Sequence, residues 1–294
     1  MNLKIIIKNI ELFSILGLLL CAGALRAEIV VIDDLEREVR LPTVAKRVIS
    51  LAPHLTEMLF SAGAGGQLVA IDSYSDFPQE ARKLPRIGAY DAVDLERVFS
   101  LNPDLVVMWQ SGNPAKLREK LLKLGVPVFV SQPMNYKMIA SNVERLGRLT
   151  GHEQEARREA SVFLSRMSAF ENRPKRGERV FYQLSESPIY TINGDHLISE
   201  IIRLCGGENV FADLSILAPQ VGLEAVITAN PSVILINGTH ANAQQWAENW
   251  QRWDTVSAVK KRRIHLLDAD LLARHTFRIA EGATALCSAL EQAH

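Results

Sequence analysis

The side chains best suited to chemistry in this chain are four aromatics, Tyr74, Tyr90, Trp109 and Tyr190, and one charged pair at helical spacing, Asp270 and Arg274. Rings with a polar tip give large apolar contact while their hydroxyl or indole N–H groups remain able to hydrogen-bond. A carboxylate one turn from a guanidinium can hold a ligand's polar substituents, or simply satisfy its neighbour at the surface. This is the chemistry of recognition rather than of bond making. The seven histidines, His54, His152, His196, His240, His265, His275 and His294, have no Cys, His or carboxylate partners at a metal-ligand spacing. His54, directly after a strand, is the one best placed to meet a ligand, and His265 alternates with Ile264 and Leu266 as a strand residue does. The sequence holds no Gly-x-Ser-x-Gly elbow, Walker sequence or dinucleotide fingerprint, so neither a catalytic residue nor a metal site is assigned.

Two more carboxylates, Glu96 and Glu224, stand in a segment that the chain contains twice. Leu95-Glu96, Asn102-Pro103 and Val106-Val107-Met108 are echoed at the same spacing by Leu223-Glu224, Asn230-Pro231 and Ile234-Leu235-Ile236. In each copy Glu falls in the first turn of a short helix, where the free backbone N–H groups favour a carboxylate. Asn-Pro ends the helix because Pro disfavours the α region for the residue before it, and an apolar run then reads as a buried strand. The echo extends outward: Arg47-Val48-Ile49-Ser50 answers Arg179-Val180-Phe181-Tyr182, and the run 126–130 answers 263–267. The reading is an α/β chain of two similar lobes with mostly parallel sheets. Carboxylates at equivalent places on separate lobes should project from one face, which suits docking to a two-fold partner bearing arginines better than acid–base work at close range.

These elements must position the aromatics. Strand Leu68–Ile71 runs into the loop 72–78, the strand ending at Met108 delivers Trp109, and the strand beginning at Arg179 leads to the loop 185–190. Loops beyond the C-terminal ends of parallel strands line a ligand crevice, so Tyr74, Tyr90, Trp109 and Tyr190 converge by topology, with Asp270 and Arg274 beyond the last strand. Between the halves, Ala156, Ala160, Phe163, Leu164, Met167 and Phe170 recur at helical spacing without Gly or Pro, predicting a rigid linking helix over 151–173. The N-terminal lobe is then 28–150 and the C-terminal lobe 174–294. Trp246, Trp250 and Trp253 also keep helical spacing and read as packing rather than as a stacking platform.

Composition narrows the class. A chain of 294 residues, 48% apolar, can fill one large or two modest cores. Lys plus Arg and Asp plus Glu both total 33, so there is no basic excess of the kind nucleic acid requires. Beyond the N-terminus no apolar run suggests a polytopic membrane protein. Residues 1–27 read as a secretory signal: Lys4 and Lys8 precede an apolar run from Leu12 to Ala24, with cleavage after Ala24 or Ala27. Cys21 follows Leu18, Leu19 and Leu20 where lipid attachment favours a small residue. Cleavage beyond it leaves Cys205 and Cys287, as one disulfide or as two buried thiols.

At this point the sequence resembles the helical-backbone periplasmic binding proteins of ABC importers, the group serving cobalamin, haem and ferric siderophores, and most of all its cobalamin-binding members. The resemblance covers nearly all of 30–290 and is specific in Asp72 to Pro78, in Asn102 to Val106 with Trp109, in Cys205 to Asn209 with Phe211, and in Pro219-Gln220-Val221. It implies a soluble, monomeric periplasmic protein that captures cobalamin or a related corrinoid between its lobes and hands it to a permease dimer with ATPase subunits. It further implies corrinoid contacts from Tyr74, Trp109, Tyr190, Asp270 and Arg274, docking to permease arginines through Glu96 and Glu224, and a Cys205–Cys287 disulfide. Two positions depart from the family's cobalamin-binding pattern: Tyr90 stands where it has Trp, and Ala218 where it has a second Trp, which removes a large contact. Haem or a ferric siderophore is the alternative ligand. A bilobal metal-chelate enzyme would instead need a cysteine set in the cleft.

Overall fold

The computed structural model describes residues 28–89, 92–238 and 240–291; the expected signal segment and Tyr90 lie outside them. The described chain opens with a hairpin of β1 (Ile29–Ile32) and β2 (Glu38–Leu41). Its turn is tied to the first lobe by Asp34, whose carboxylate accepts from the Gln132 N–H at 2.6 Å and from Asn142 Nδ2 at 2.8 Å and pairs with Arg145. Next come β3 (Val48–Ser50), β4 (Leu68–Ile71), the short hairpin of β5 (Gly88–Ala89) and β6 (Ala92–Val93), then β7 (Leu105–Trp109) and β8 (Val128–Ser131). The second half contributes β9 (Glu178–Gln183), the hairpin of β10 (Ser185–Glu186) and β11 (Ile189–Tyr190), then β12 (Gly207–Asn209), β13 (Val233–Gly238) and β14 (Ile264–Asp268).

Two four-stranded parallel sheets result, ordered β4-β3-β7-β8 and β12-β9-β13-β14. In each, the lobe's first strand lies between its second and third. The repeat in the sequence is therefore a repeat of topology, with β7 and β13, the strands that follow Glu96 and Glu224, in equivalent places. Helices cover both faces of each sheet, which is why Leu105 to Met108 and Val233 to Ile236 are apolar without alternation and fully buried.

The largest apolar cluster is continuous across the molecule. It runs from Val48, Leu105 and Phe129, through Ile139, Val143, Leu146, Ala160 and Phe163, to Val180, Tyr182, Ile201 and Leu286. Smaller clusters fill the opposite face of each sheet, one around Val106 and Leu121 and one around Phe181 and Ile234. Trp250 belongs to the latter, edge-on to Phe181 at 5.8 Å with its indole N–H on Gln183, so this member of the tryptophan stripe is packing as expected.

The expected linking helix spans Glu153–Ser168 and pairs with the helix Tyr136–Thr150 before it. Gly151, at φ 81°, turns the chain between them. At Gly147 a Cβ would lie 2.3 Å from the Ala156 methyl, so the glycine sets how closely the two helices cross. Phe163 then stacks on Phe277 of the second lobe at 4.5 Å and meets Tyr136 edge-on at 6.4 Å. The Tyr136 N–H donates to Glu200, on the second-lobe helix Leu197–Leu204, at 3.1 Å. Within that lobe a disulfide joins Cys205 to Cys287 of the terminal helix Ile279–Glu291.

Because Phe163 is buried where the lobes share one core, Phe163→Ala should cost about 3–5 kcal/mol. Denaturant unfolding should still show a single transition with a lower midpoint; two separated transitions in the wild-type chain would mean that the lobes are not coupled through this core.

Candidate functional site

Three of the expected aromatics are placed by local devices at strand ends. Asp72, fully buried after β4, accepts the Tyr74 N–H at 2.8 Å and the Ser75 hydroxyl, while Arg86 donates to the carbonyls of Asp72 and Ser75. The Asp72 side chain thus fixes the turn on which Tyr74 stands, a residue 58% exposed. Burial pushes the Asp72 carboxyl above its ordinary value, against the hydrogen bonds from Ser75 and Tyr74.

Trp109 ends β7 in a turn closed from both sides: its N–H donates to Asn113 Oδ1 at 2.7 Å and its carbonyl accepts the Asn113 N–H at 2.9 Å. Asn113 Nδ2 then reaches the Leu51 carbonyl at 3.1 Å, tying the turn to the end of β3. A Cβ at Gly112 would lie 1.9 Å from the indole, so only glycine leaves the ring its place. Tyr190 stands on β11, paired with Ser185 and bridged to Gln220, and is 38% exposed. Ala218 is exposed on the adjoining segment, which is fixed by the Thr191 N–H donating to the Pro219 carbonyl at 3.0 Å. None of the three rings is sealed inside a lobe.

Asp270 and Arg274 do meet, at 3.0 Å, but Arg274 also reaches the other lobe. Its Nη1 lies 3.0 Å from Glu57 and 2.6 Å from Asp76, both of the first lobe. Arg278, four residues on, lies 3.4 Å from Glu57 and covers the Phe77 ring at 4.1 Å. Between these arginines His275 lies 6.3 Å from His54 and 6.0 Å from His196, and Phe277 carries the stack on Phe163. The stretch 274–278 is therefore a seam: Arg274, His275, Phe277 and Arg278 all touch groups outside the second lobe. Sequence reasoning found the first arginine and missed Glu57, Asp76 and Arg278. Two arginines four residues apart were the available signal; the carboxylates opposite came from a distant part of the chain.

Burial raises the Glu57 carboxyl above its ordinary value, an effect the two arginines only partly oppose. At Asp76 burial also pushes upward, yet Arg274 outweighs it and the group ends below the usual range. Arg274 itself is held protonated by its carboxylates despite partial burial. The histidines are kept neutral. Burial, helped by His275 and Arg274, takes His54 down to about 3. Burial, helped by His275, takes His196 to about 3 as well. His275 falls to about 4, burial outweighing its bond to Pro133. His54 is not the open crevice residue expected: it is 6% exposed, edge-on beneath Trp109 at 5.3 Å. Among the described residues, no group of three or more His, Cys, Asp or Glu could hold a metal ion.

Glu96 and Glu224 are exposed in the first turns of the helices Leu95–Ser100 and Leu223–Ala229. Both helices are clasped alike. Arg47 donates to the Leu101 carbonyl and Arg179 to the Ala229 carbonyl, each at 2.8 Å. Asn102 and Asn230 follow at φ 42° and 43°. Each thus escapes the constraint of the next proline through the left-handed region, which asparagine tolerates. Asp104 then accepts the Arg47 N–H at 2.9 Å, and Ser232 accepts the Arg179 N–H at 3.0 Å.

Two like parallel-sheet lobes on a helical connection, with aromatic and charged side chains at the rims and seam, define a two-lobed ligand-binding protein. The chain belongs to the periplasmic binding protein family, the match spanning residues 48–271. It is 38% identical over 251 residues to the vitamin B12-binding protein of Vibrio campbellii, covering 84% of this chain and 90% of that one. It is 36% identical over 245 residues to the vitamin B12-binding protein of Yersinia pestis, covering 83% and 85%. Among solved structures, the periplasmic vitamin B12-binding protein of Vibrio cholerae superposes with a TM-score of 0.78 at 36% identity, covering 85% of this chain and 98% of that one. The haem-binding protein of Roseiflexus sp. RS-1 shares the fold, with a TM-score of 0.74 at 24% identity over 85% and 99% of the two chains.

The neutral histidines set an acid response. Their pKa values are lower folded than the ordinary 6.5, so the unfolded chain binds more protons below that pH. Stability from this source is complete above pH 6.5 and is lost as pH falls toward about 3 to 4. The raised pKa values of Glu57 and Asp72 act in the opposite sense at the acid end. The thermal midpoint should therefore fall between pH 6.5 and 4, and fall less steeply in His54→Leu; an equal slope in that variant would show that His54 is not held neutral.

Proposed function

We propose that this chain is the substrate-binding protein of an ABC importer and that it captures cobalamin or a closely related corrinoid in the cleft between its lobes. The observation that carries the reading is Arg274. The same guanidinium that the family resemblance assigns to the ligand stands at the seam, beside the loop that holds Tyr74, in a chain 36–38% identical to vitamin B12-binding proteins over most of its length. In this reading the lobes are 28–150 and 174–294 with 151–173 between them, and residues 1–27 are the signal that sends the protein to the periplasm.

Binding follows from the residue types. A corrinoid presents a broad, largely apolar macrocycle edged with polar side chains. Tyr74, Tyr90, Trp109 and Tyr190 supply apolar contact, and Asp270 and Arg274 take the polar edge. No bond is made or broken, so the protein is a carrier and not an enzyme. Glu96 and Glu224, held in register by their matching clasps, offer two carboxylates to arginines on a permease dimer; ATP is consumed by the transporter's own ATPase subunits. A haem or ferric siderophore is the second reading. Ala218 favours it, since a small side chain stands on the rim beside Tyr190 where the resemblance calls for an indole.

Titrating the purified protein with cobalamin, cobinamide and haemin, read by visible spectrum and heat of binding, should show the corrinoids binding more tightly than haemin; the reverse order moves the assignment to the second reading. Glu96→Lys with Glu224→Lys should leave capture unchanged and lower uptake into vesicles carrying the importer. Loss of capture would place those carboxylates in the pocket instead. Since the lobes share one core, bound and free forms should differ by a lobe rotation below ~20°, measurable by crystallography of both.

A further inference from the structure

Glu57 has no part in the assignments above, yet it is the most buried charge at the seam. It lies on the helix Pro53–Ser61 of the first lobe, and its side chain is 3% exposed. One of its oxygens, Oε1, faces both Arg274 and Arg278. Arg274 has two other carboxylate partners, but the side chains of Asp76 and Asp270 are 47% and 50% exposed. Attraction between opposite charges strengthens as water is excluded, and pairs open to solvent are screened and worth little. Of three partners, then, one is a fixed anchor and two are exchangeable. Arg278 is held separately by the face of Phe77, so Glu57 sits between a guanidinium that is already placed and one whose other partners are open to solvent.

The geometry points to Glu57 as the positioning residue for ligand recognition: it fixes Arg274 at the seam, so that Asp76 and Asp270, and not Glu57, give way to the polar groups of an arriving ligand. This rests on the corrinoid reading above. It adds that a ligand-reading group of the second lobe is aimed from the first. Arg274 is correctly presented only when the lobes keep their spacing, and the lobes' relative position becomes part of the specificity.

Two measurements test this. In ligand-free protein, nitrogen-15 NMR of the arginine side chains should show hindered rotation of the Arg274 guanidinium in the wild type and in Asp76→Asn, and free rotation in Glu57→Gln. In cobalamin titrations, Glu57→Gln should weaken binding about tenfold, and Glu57→Gln with Arg274→Gln should bind no more weakly than Arg274→Gln alone, because groups acting through one another do not add. Glu57→Asp keeps the charge but withdraws it by one methylene, and should lie between wild type and Glu57→Gln, which covers the case in which Glu57→Gln does not fold. Hindered rotation that persists without Glu57, or losses that add in the double variant, would overturn the proposal. Wild-type protein that binds no corrinoid would reject the ligand reading alone, while the NMR result still decides whether Glu57 holds Arg274.

Discussion

The stack of Phe163 on Phe277, with Tyr136 against its edge, does between the lobes what hydrogen-bonded strands do within them. The two sheets share no strand, so nothing in the backbone ladders fixes how far apart their rims stand. That distance comes from side-chain packing along a pair of helices whose own crossing is set by Gly147 against Ala156. Close-packed interiors resist small displacements. A ligand surface made from both lobes can therefore exist before the ligand arrives, and the loss of conformational freedom on binding is correspondingly small.

Around that apolar joint the polar groups are sorted by access to water. Glu57 is enclosed and doubly matched by arginine, whereas Asp76 and Asp270 lie half open. The three histidines alongside are neutral, so they add no charge that would compete with the guanidinium for those carboxylates. Positive charge at the seam is thus concentrated on Arg274 and Arg278. Trp109 joins the same arrangement through His54, which puts an aromatic wall and a cationic group on one continuous piece of the molecule.

Much of this plan was legible in the chain. Asn-Pro twice, each after a Glu-bearing helix and before an apolar run, disclosed the duplication, because a helix stop followed by a strand is a local matter of backbone sterics and burial. The lobes, the linking helix and the Asp270–Arg274 pair followed from periodicity of the same local kind. The rest was not local. Glu57 and Arg274 are 217 residues apart in sequence, and nothing in either neighbourhood specifies the other. His54 looked open because its strand end faces the crevice, and only the fold reveals Trp109 lying over it. The clasp of Arg47 on Leu101 is likewise hidden, although its twin, Arg179 on Ala229, appears once the halves are superposed.

Those twin clasps sit at the N-terminal ends of the first strands, whereas the loops bearing Tyr74, Trp109 and Tyr190 leave from the C-terminal ends of strands. The ring-bearing loops and the clasped helix ends thus rest on opposite ends of the same sheets. The rim loops can lengthen, shorten or exchange rings while the clasps on Leu101 and Ala229 stay as they are. A lineage built on this scaffold can therefore vary its rims without rebuilding the joints that hold its helices to its sheets.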